Sequence, residues 1–225
     1  MLKAKELKCS LYFETPIYST EIPEWVEDLN NICDKYIKDS KNKNKIIIKE
    51  KDRKFNKKIG DLGMSHHSNN LIKESKLGIF NKYIVNESFN ILNHMGYDLT
   101  NYQLVINDIW AQEFAEKGSG HHSPHLHQNN HVSGFYYLKC SDKTSFPVFH
   151  DPRSCKLMSQ LPLKNENELK TGNDKVNYRP KPGTLIFIPS YLIHEYVIDY
   201  GIDTFRFIHF NIQAVKKDII EKLIK

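Results

Sequence analysis

Between Asn101 and Gln213 the chain breaks into about eight short runs rich in β-branched and aromatic residues, and this punctuation limits the fold more than any other feature. The runs are 102–107, 110–116, 125–128, 133–140, 145–151, 184–188, 193–198 and 204–213. Turn signals such as Lys181-Pro182-Gly183 and Tyr200-Gly201 separate them, and a polar excursion over 163–174 divides the fifth run from the sixth. Short strands at this spacing predict a jelly-roll or related double-sheet barrel, an architecture that often encloses a ligand site.

The first hundred residues read as mainly helical. Ile22, Trp25, Val26, Leu29, Ile32, Cys33, Tyr36 and Ile37 fall on one helical stripe, and Pro23 suits its first turn. A second helix is expected over 75–95, stopped by Gly96. Residues 9–18 read as a strand or an extended lead-in, ending at Pro16. The lysine- and asparagine-rich 38–58 stretch reads as an exposed loop with a short strand at Ile46-Ile47-Ile48, and 215–224 as a short amphipathic helix. With no repeat or linker, the expectation is one domain: a helical segment over 1–98, a β core over 99–213 and a closing helix over 214–225. That is a mainly β fold with flanking helices.

Composition narrows the class. Hydrophobic residues at 40% and charged ones at 26% suit an ordinary globular chain. The net charge of +5 comes from dispersed lysines rather than a basic block, so nucleic acid is not the expected partner. The start of the chain lacks a secretion signal, no stretch reaches the ~20 apolar residues of a membrane span, and the four cysteines form no CxxC pair. A reduced, cytoplasmic protein is expected.

Chemistry concentrates in one place. Five of the eleven histidines fall within 121–131, and neutral imidazole is the commonest protein ligand for transition metals. His125 and His127 are two apart, so on an extended strand both leave the same face. An exposed polar loop would also account for a histidine-rich tract. His121 and His122, after Gly118-Ser119-Gly120, read as loop residues. His66 and His67 are adjacent and read as surface or substrate-mouth residues. His194 opens an apolar strand, where a lone histidine is usually a satisfied core residue. Arg206 shares a strand face with Ile208, Phe210 and Ile212; a guanidinium on a core-facing row needs an anion, either a ligand carboxylate or an internal Asp or Glu, unless its end snorkels to solvent.

Together, His125-x-His127, the distal His194 and Arg206 resemble the iron(II)/2-oxoglutarate-dependent oxygenases. The match is closest to a family found in bacteria and tailed phages. Its pattern has an Asn-x-x-Trp segment, a His-x-His followed by Ser-Gly-x-Tyr-Tyr-Leu, and a Phe-x-Asp-Pro-Arg turn. A Phe-x-Pro-Ser-x-Leu-x-His segment and a terminal Arg-x-x-x-x-Phe-Asn complete it. Here these read as 107–110, 125–138, 149–153, 187–194 and 206–211, the last with three residues rather than four between Arg and Phe. Residues 64–72 also resemble that family's upstream segment.

The resemblance implies a double-stranded β-helix (jelly-roll or cupin-like). It implies His125 and His194 as iron ligands, Arg206 as the anchor of the 2-oxoglutarate carboxylate, and Tyr137 as a second group on that carboxylate. His127 stands where the wider superfamily has Asp or Glu, which leaves a three-histidine site or a carboxylate from elsewhere; Asp151 is the outside candidate. Trp110, His131 and Arg153 are candidates for the substrate mouth. The implied cofactors are Fe(II), 2-oxoglutarate and O2, with oxidative decarboxylation to succinate driving hydroxylation of a substrate C–H. The substrate, small molecule or protein side chain, is not encoded in any recognisable motif, and neither is the oligomeric state. A three-histidine cupin-type dioxygenase without a keto acid and a non-catalytic jelly-roll binding module are the alternatives.

Overall fold

The computed structural model describes residues 7–166 and 168–224. The β-runs assemble into two antiparallel sheets. Strands β1 (Tyr18–Glu21), β2 (Ser65–His67), β3 (Tyr102–Phe114), β5 (Val132–Lys139), β8 (Thr184–Pro189) and β10 (Arg206–Lys216) form the larger, in the order β1-β8-β5-β10-β3-β2. Strands β4 (His122–His125), β6 (Pro147–His150), β7 (Lys175–Asn177) and β9 (His194–Tyr196) form the smaller, in the order β4-β9-β6-β7. Helices α1 (Val26–Phe55) and α2 (Gly78–His94) cover the outer face of the larger sheet, and α3 (Lys217–Ile224) follows β10 directly. The two-sheet β core with a helical N-terminal part is the double-stranded β-helix architecture expected.

Neighbouring residues of the larger sheet go to opposite cores, because side chains alternate along a strand. Tyr136, Leu138, Phe187, Ile208, Phe210 and Ile212 pack outward with Leu29, Ile37, Phe80 and Ile84 of the helices. Phe135, Tyr137, Ile186, Ile188 and Phe207 pack inward, with Phe149 and Tyr196 of the smaller sheet. Burial on both faces explains why these strands are continuously apolar in sequence. Parity along a strand therefore decides whether a side chain meets a helix or the space between the sheets. The packing leaves little slack at Gly134, where an added Cβ would stand 2.2 Å from the Phe210 ring and 2.6 Å from the Ile186 carbonyl oxygen.

Three expectations are corrected. The 38–58 stretch is not a loop with a strand: α1 continues unbroken to Phe55 and ends at Asn56, whose φ of 47° is left-handed. Lysine and glutamate are good helix formers, and the isoleucine triplet that suggests a strand leaves Ile46 and Ile47 exposed. Lys41 on this helix reaches Glu113 and Glu116 of the β core, which ties its later turns down. The 102–107 and 110–116 runs are one strand, β3, with a register shift against β10 at Asn211/Ile212. Of the two readings of 9–18, the strand is the one corrected: the chain is an extended lead-in with no backbone pairing before β1. The second helix and the closing helix lie where expected, within a few residues. No helix among the described residues is long and apolar enough to cross a membrane.

Candidate metal centre

Strands β4 and β9 are neighbours in the smaller sheet, and their register sets His125 directly opposite His194. His127 lies two residues beyond the end of β4, where its backbone N–H donates to the Ser190 carbonyl at 3.0 Å. That bond turns the loop back over the sheet. Ser190 is itself held from below, since its hydroxyl meets Ser133 Oγ at 2.8 Å and Ser133 donates to Asn211 at 2.6 Å. As a result, one ring nitrogen from each of His125, His127 and His194 falls in a single cluster, all within 4.8 Å of one another.

The ring orientations are set by backbone carbonyls. His194 Nδ1 lies 3.0 Å from the Leu192 oxygen, and His125 Nδ1 lies 2.8 Å from the Ser123 oxygen. A carbonyl only accepts, so each Nδ1 carries the proton and each Nε2 offers a bare lone pair. A hydrogen-bonded outer nitrogen is the usual support of a metal-ligating histidine. His127 Nε2 approaches His194 Nε2 to 3.3 Å; two nitrogens that close need a proton or a cation between them. Burial, with the neighbouring histidines adding to it, pushes His194 down to about 3 and His127 down to about 4. Both are neutral at physiological pH, the form that binds metal. Three imidazoles suit iron, zinc, copper or nickel, so the donor set fits an iron(II) ion while lacking the carboxylate of the usual two-histidine, one-carboxylate site.

A ring of aromatic side chains surrounds the cluster. His209, facing inward from β10, sits with its ring centroid 4.4 Å from His127, 4.2 Å from Trp110 and 4.7 Å from Phe135. Its Nε2 lies 3.2 Å from Asn211 Oδ1. His122 stacks parallel to His67 at 5.9 Å and meets Gln112, and its ring is 5.5 Å from His125. His122 is thus the first residue of β4 and part of the surroundings of the cluster rather than a loop residue. His67 does stand near the opening, beside Trp110 at 6.3 Å. His66 does not: it is buried and bonded to Asp61 and Asn44.

Arg206 is the main correction. Its guanidinium faces the helices, donating to Glu113 from Nε at 2.7 Å and from Nη2 at 2.6 Å. The remaining nitrogen serves Asp34 and Asn30 on α1. The row it shares with Ile208, Phe210 and Ile212 is core-facing, as the alternation indicates, but that core is the one under the helices. Arg206 stands five residues before Asn211, an odd spacing that puts the two on opposite faces of β10. The residues present therefore do not offer 2-oxoglutarate the anchor expected at this position. Tyr137 does face inward, fully buried, with its hydroxyl 3.0 Å from that of Tyr196.

Asp151 also lies apart from the histidines. Its carboxylate takes two bonds from the Arg153 side chain, at 2.9 and 2.7 Å, and an ion pair from Lys156 at 3.0 Å. Bonding to Arg153 first of all holds its pKa well below the usual carboxylate range. Asp151 and Arg153 instead line a cleft of about 530 Å³ that shares Phe149 and Leu192 with the surroundings of His194. His131 is exposed and accepts from the Ala214 N–H at the sheet end, outside the cluster.

The family model described as "Putative 2OG-Fe(II) oxygenase" matches residues 108–209, a span that holds all three clustered histidines. This stretch is therefore similar to the 2OG-Fe(II) oxygenases over a little under half of the chain. That family uses iron(II), 2-oxoglutarate and dioxygen. Among solved structures, a 2OG-Fe(II) oxygenase-family oxidoreductase from Burkholderia pseudomallei is similar at 13% identity, covering 50% of this chain and 46% of that one, with a TM-score of 0.36. AviO1 from Streptomyces viridochromogenes Tue57 shares 12% identity over 49% of this chain and 51% of its own, TM-score 0.37. The epimerase SnoN, solved with Fe3+, α-ketoglutarate and nogalamycin RO, shares 9% over 52% and 54%, TM-score 0.37. The chain spans about half the length of each. No curated protein matches.

His209 is the residue beside the histidine cluster that the sequence motifs do not single out. Strand parity is the signal that points to it: counting back by twos from Asn211 gives His209 and Phe207 on one face and leaves Arg206 on the other.

Proposed function

We propose that this chain is an iron(II)-dependent oxygenase of the 2OG-Fe(II) family that hydroxylates a substrate yet to be identified. The observation that carries this reading is the convergence of His125, His127 and His194 on one point at the end of the sandwich. The bound iron would supply dioxygen activation beside the substrate C–H bond. The chain's own residues do the positioning. The Ser123 and Leu192 carbonyls fix two imidazoles with Nε2 inward. Ser190 holds the loop that carries the third. Phe135, His209 and Trp110 pack around the cluster and restrict water to its open side. Trp110 and His67 flank that side, and the cleft behind Phe149 and Leu192 offers apolar walls for a substrate.

A second reading, a three-histidine dioxygenase that needs no keto acid, is favoured by one observation: Arg206 faces away from the histidines. The deciding experiment measures oxygen uptake and succinate release by Fe(II)-loaded protein with and without 2-oxoglutarate. Succinate formed in step with oxygen, and lost in His125→Ala and His194→Ala, supports the first reading. Histidine-dependent oxygen uptake that ignores the keto acid supports the second. Absence of both rejects the enzyme.

A further inference from the structure

Over the whole chain the lysines read as dispersed, but the folding of 38–58 as helix gathers many of them on one element. Residues 41–58 hold nine lysines and arginines against two carboxylates, a net +7 where the entire chain carries +5, so everything outside this stretch sums to −2. Two of the nine are spent inside the fold: Lys41 on Glu113 and Glu116, and Lys51 on the Leu62 carbonyl. The other seven are exposed, with no carboxylate partner among the described residues: Lys43, Lys45, Lys49, Arg53 and Lys54 on α1, then Lys57 and Lys58 just past its end. Of the two carboxylates, Asp52 accepts from the Ile59 and Gly60 N–H groups at 2.6 and 2.9 Å, which leaves Glu50 alone on the outer face. Half-buried Asn44, Ile48 and Lys51 mark the side of α1 that meets the domain, while Lys45, Lys49 and Arg53 stand four apart in one exposed row. Like charges at that spacing repel, and a bound polyanion relieves them. Asn44 bonds His66 of the edge strand β2 at 3.1 Å, so the basic face runs beside the strand that carries His67 at the opening of the metal centre.

We propose that this face, over 43–54 and on through Lys57 and Lys58, binds the phosphate backbone of a nucleic acid, independently of the metal centre. Five free cations lie along 43–54, a rise of about 16 Å. A duplex strand presents about five phosphates over that length. Charge matching of this kind gives binding that is independent of base sequence. A lipid surface is the poorer fit, since a helix lying on one needs a continuous apolar face. The exposed apolar residues here make none: Ile46 and Ile47 point about 100° apart, and Phe55 falls on the opposite side of the helix from Ile46.

The test is fluorescence anisotropy of a labelled DNA duplex of about 20 base pairs, titrated with the full chain between about 50 and 200 mM salt. Engagement of five phosphates gives a log–log slope of about −4.5, a fall in affinity of about 500-fold across that range. Lys45→Gln/Lys49→Gln/Arg53→Gln, which keeps good helix formers at all three positions, is expected to cut the slope to about −2 and the fall to about tenfold. Lys73→Gln/Lys82→Gln/Lys143→Gln removes the same charge from exposed positions elsewhere and is expected to leave the slope where it was. No duplex binding at the lowest salt overturns the proposal, as does a slope unmoved in the first variant or reduced equally in both. A preference for vesicles of phosphatidylserine and phosphatidylcholine over the duplex overturns it too, and assigns the face to a lipid surface. Circular dichroism reports whether the first variant keeps its helix; should it not, Lys49→Gln alone decides, with an expected slope change of about 1 and an unmoved slope counting against the proposal.

Discussion

Replacing Arg206 with alanine separates a structural role from a ligand-binding one. In the structure Arg206 is 5% exposed and Glu113 2% exposed, joined by two bonds of 2.7 and 2.6 Å. Removing one partner of a buried ion pair costs about 3–5 kcal/mol, because the other charge is left in the interior. Glu113 keeps one partner, the Lys41 ammonium at 2.7 Å, so the loss belongs at the lower end, about 3 kcal/mol. For a chain of this size that corresponds to a fall in Tm of roughly 6–12 °C. Urea and thermal unfolding of Arg206→Ala read the loss directly. Adding Glu113→Gln to Arg206→Met should recover part of it, since no carboxylate is then stranded. The affinity of the same protein for 2-oxoglutarate is expected to stay within about twofold, below the tenfold that 1.4 kcal/mol represents. A stability loss under about 1 kcal/mol, or a tenfold drop in 2-oxoglutarate affinity without one, would refute the placement of this side chain.

Other substitutions test the remaining contacts. Asp151→Asn should leave iron or cobalt affinity unchanged, as measured by competition with a chelating dye; a tenfold loss would return Asp151 to the ligand set. Because Arg153 and Lys156 depress the Asp151 pKa, its contribution to stability is complete above the unfolded value of about 4 and fades only as pH falls from there toward the lower folded value. Asp151→Asn should accordingly flatten the acid limb of a stability–pH profile, and an unchanged profile would contradict the ion pairs. His125→Ala and His194→Ala should each lower metal affinity by about 100-fold or more, beyond the loss typical of outer-layer partners; equal affinity in either would remove that residue from the centre. Gly134→Ala should destabilise by about 1–3 kcal/mol through overpacking against Phe210, and a neutral effect in urea unfolding would mean the sheet has slack there.

Much of the β core and the metal cluster is legible in the sequence because both depend on short-range pattern. The turn residues separate the strands, and the His-x-His beside an apolar run signals a ligand pair. His194 needs the sheet pairing that sets it opposite His125, which the family resemblance supplies and spacing alone does not. Arg206 reads with the right parity and the wrong core: a strand buried on both faces offers two interiors, and hydrophobicity does not distinguish them. Asp151 looks available because nothing in the linear chain shows that Arg153 and Lys156 fold back onto its carboxylate. The 38–58 stretch misleads for a different reason. A β-branched triplet dominates a local propensity reading, while the contacts that hold the helix, such as Lys41 with Glu113, join residues far apart in sequence.

The central claim, that His125, His127 and His194 bind one metal ion together, is tested most directly by X-ray absorption spectroscopy of the anaerobic Fe(II)-loaded protein. The expected result is one iron per chain with scattering from three imidazoles, falling to two in His127→Ala. A spectrum with two imidazoles in the wild-type protein, unchanged in His127→Ala, would contradict it.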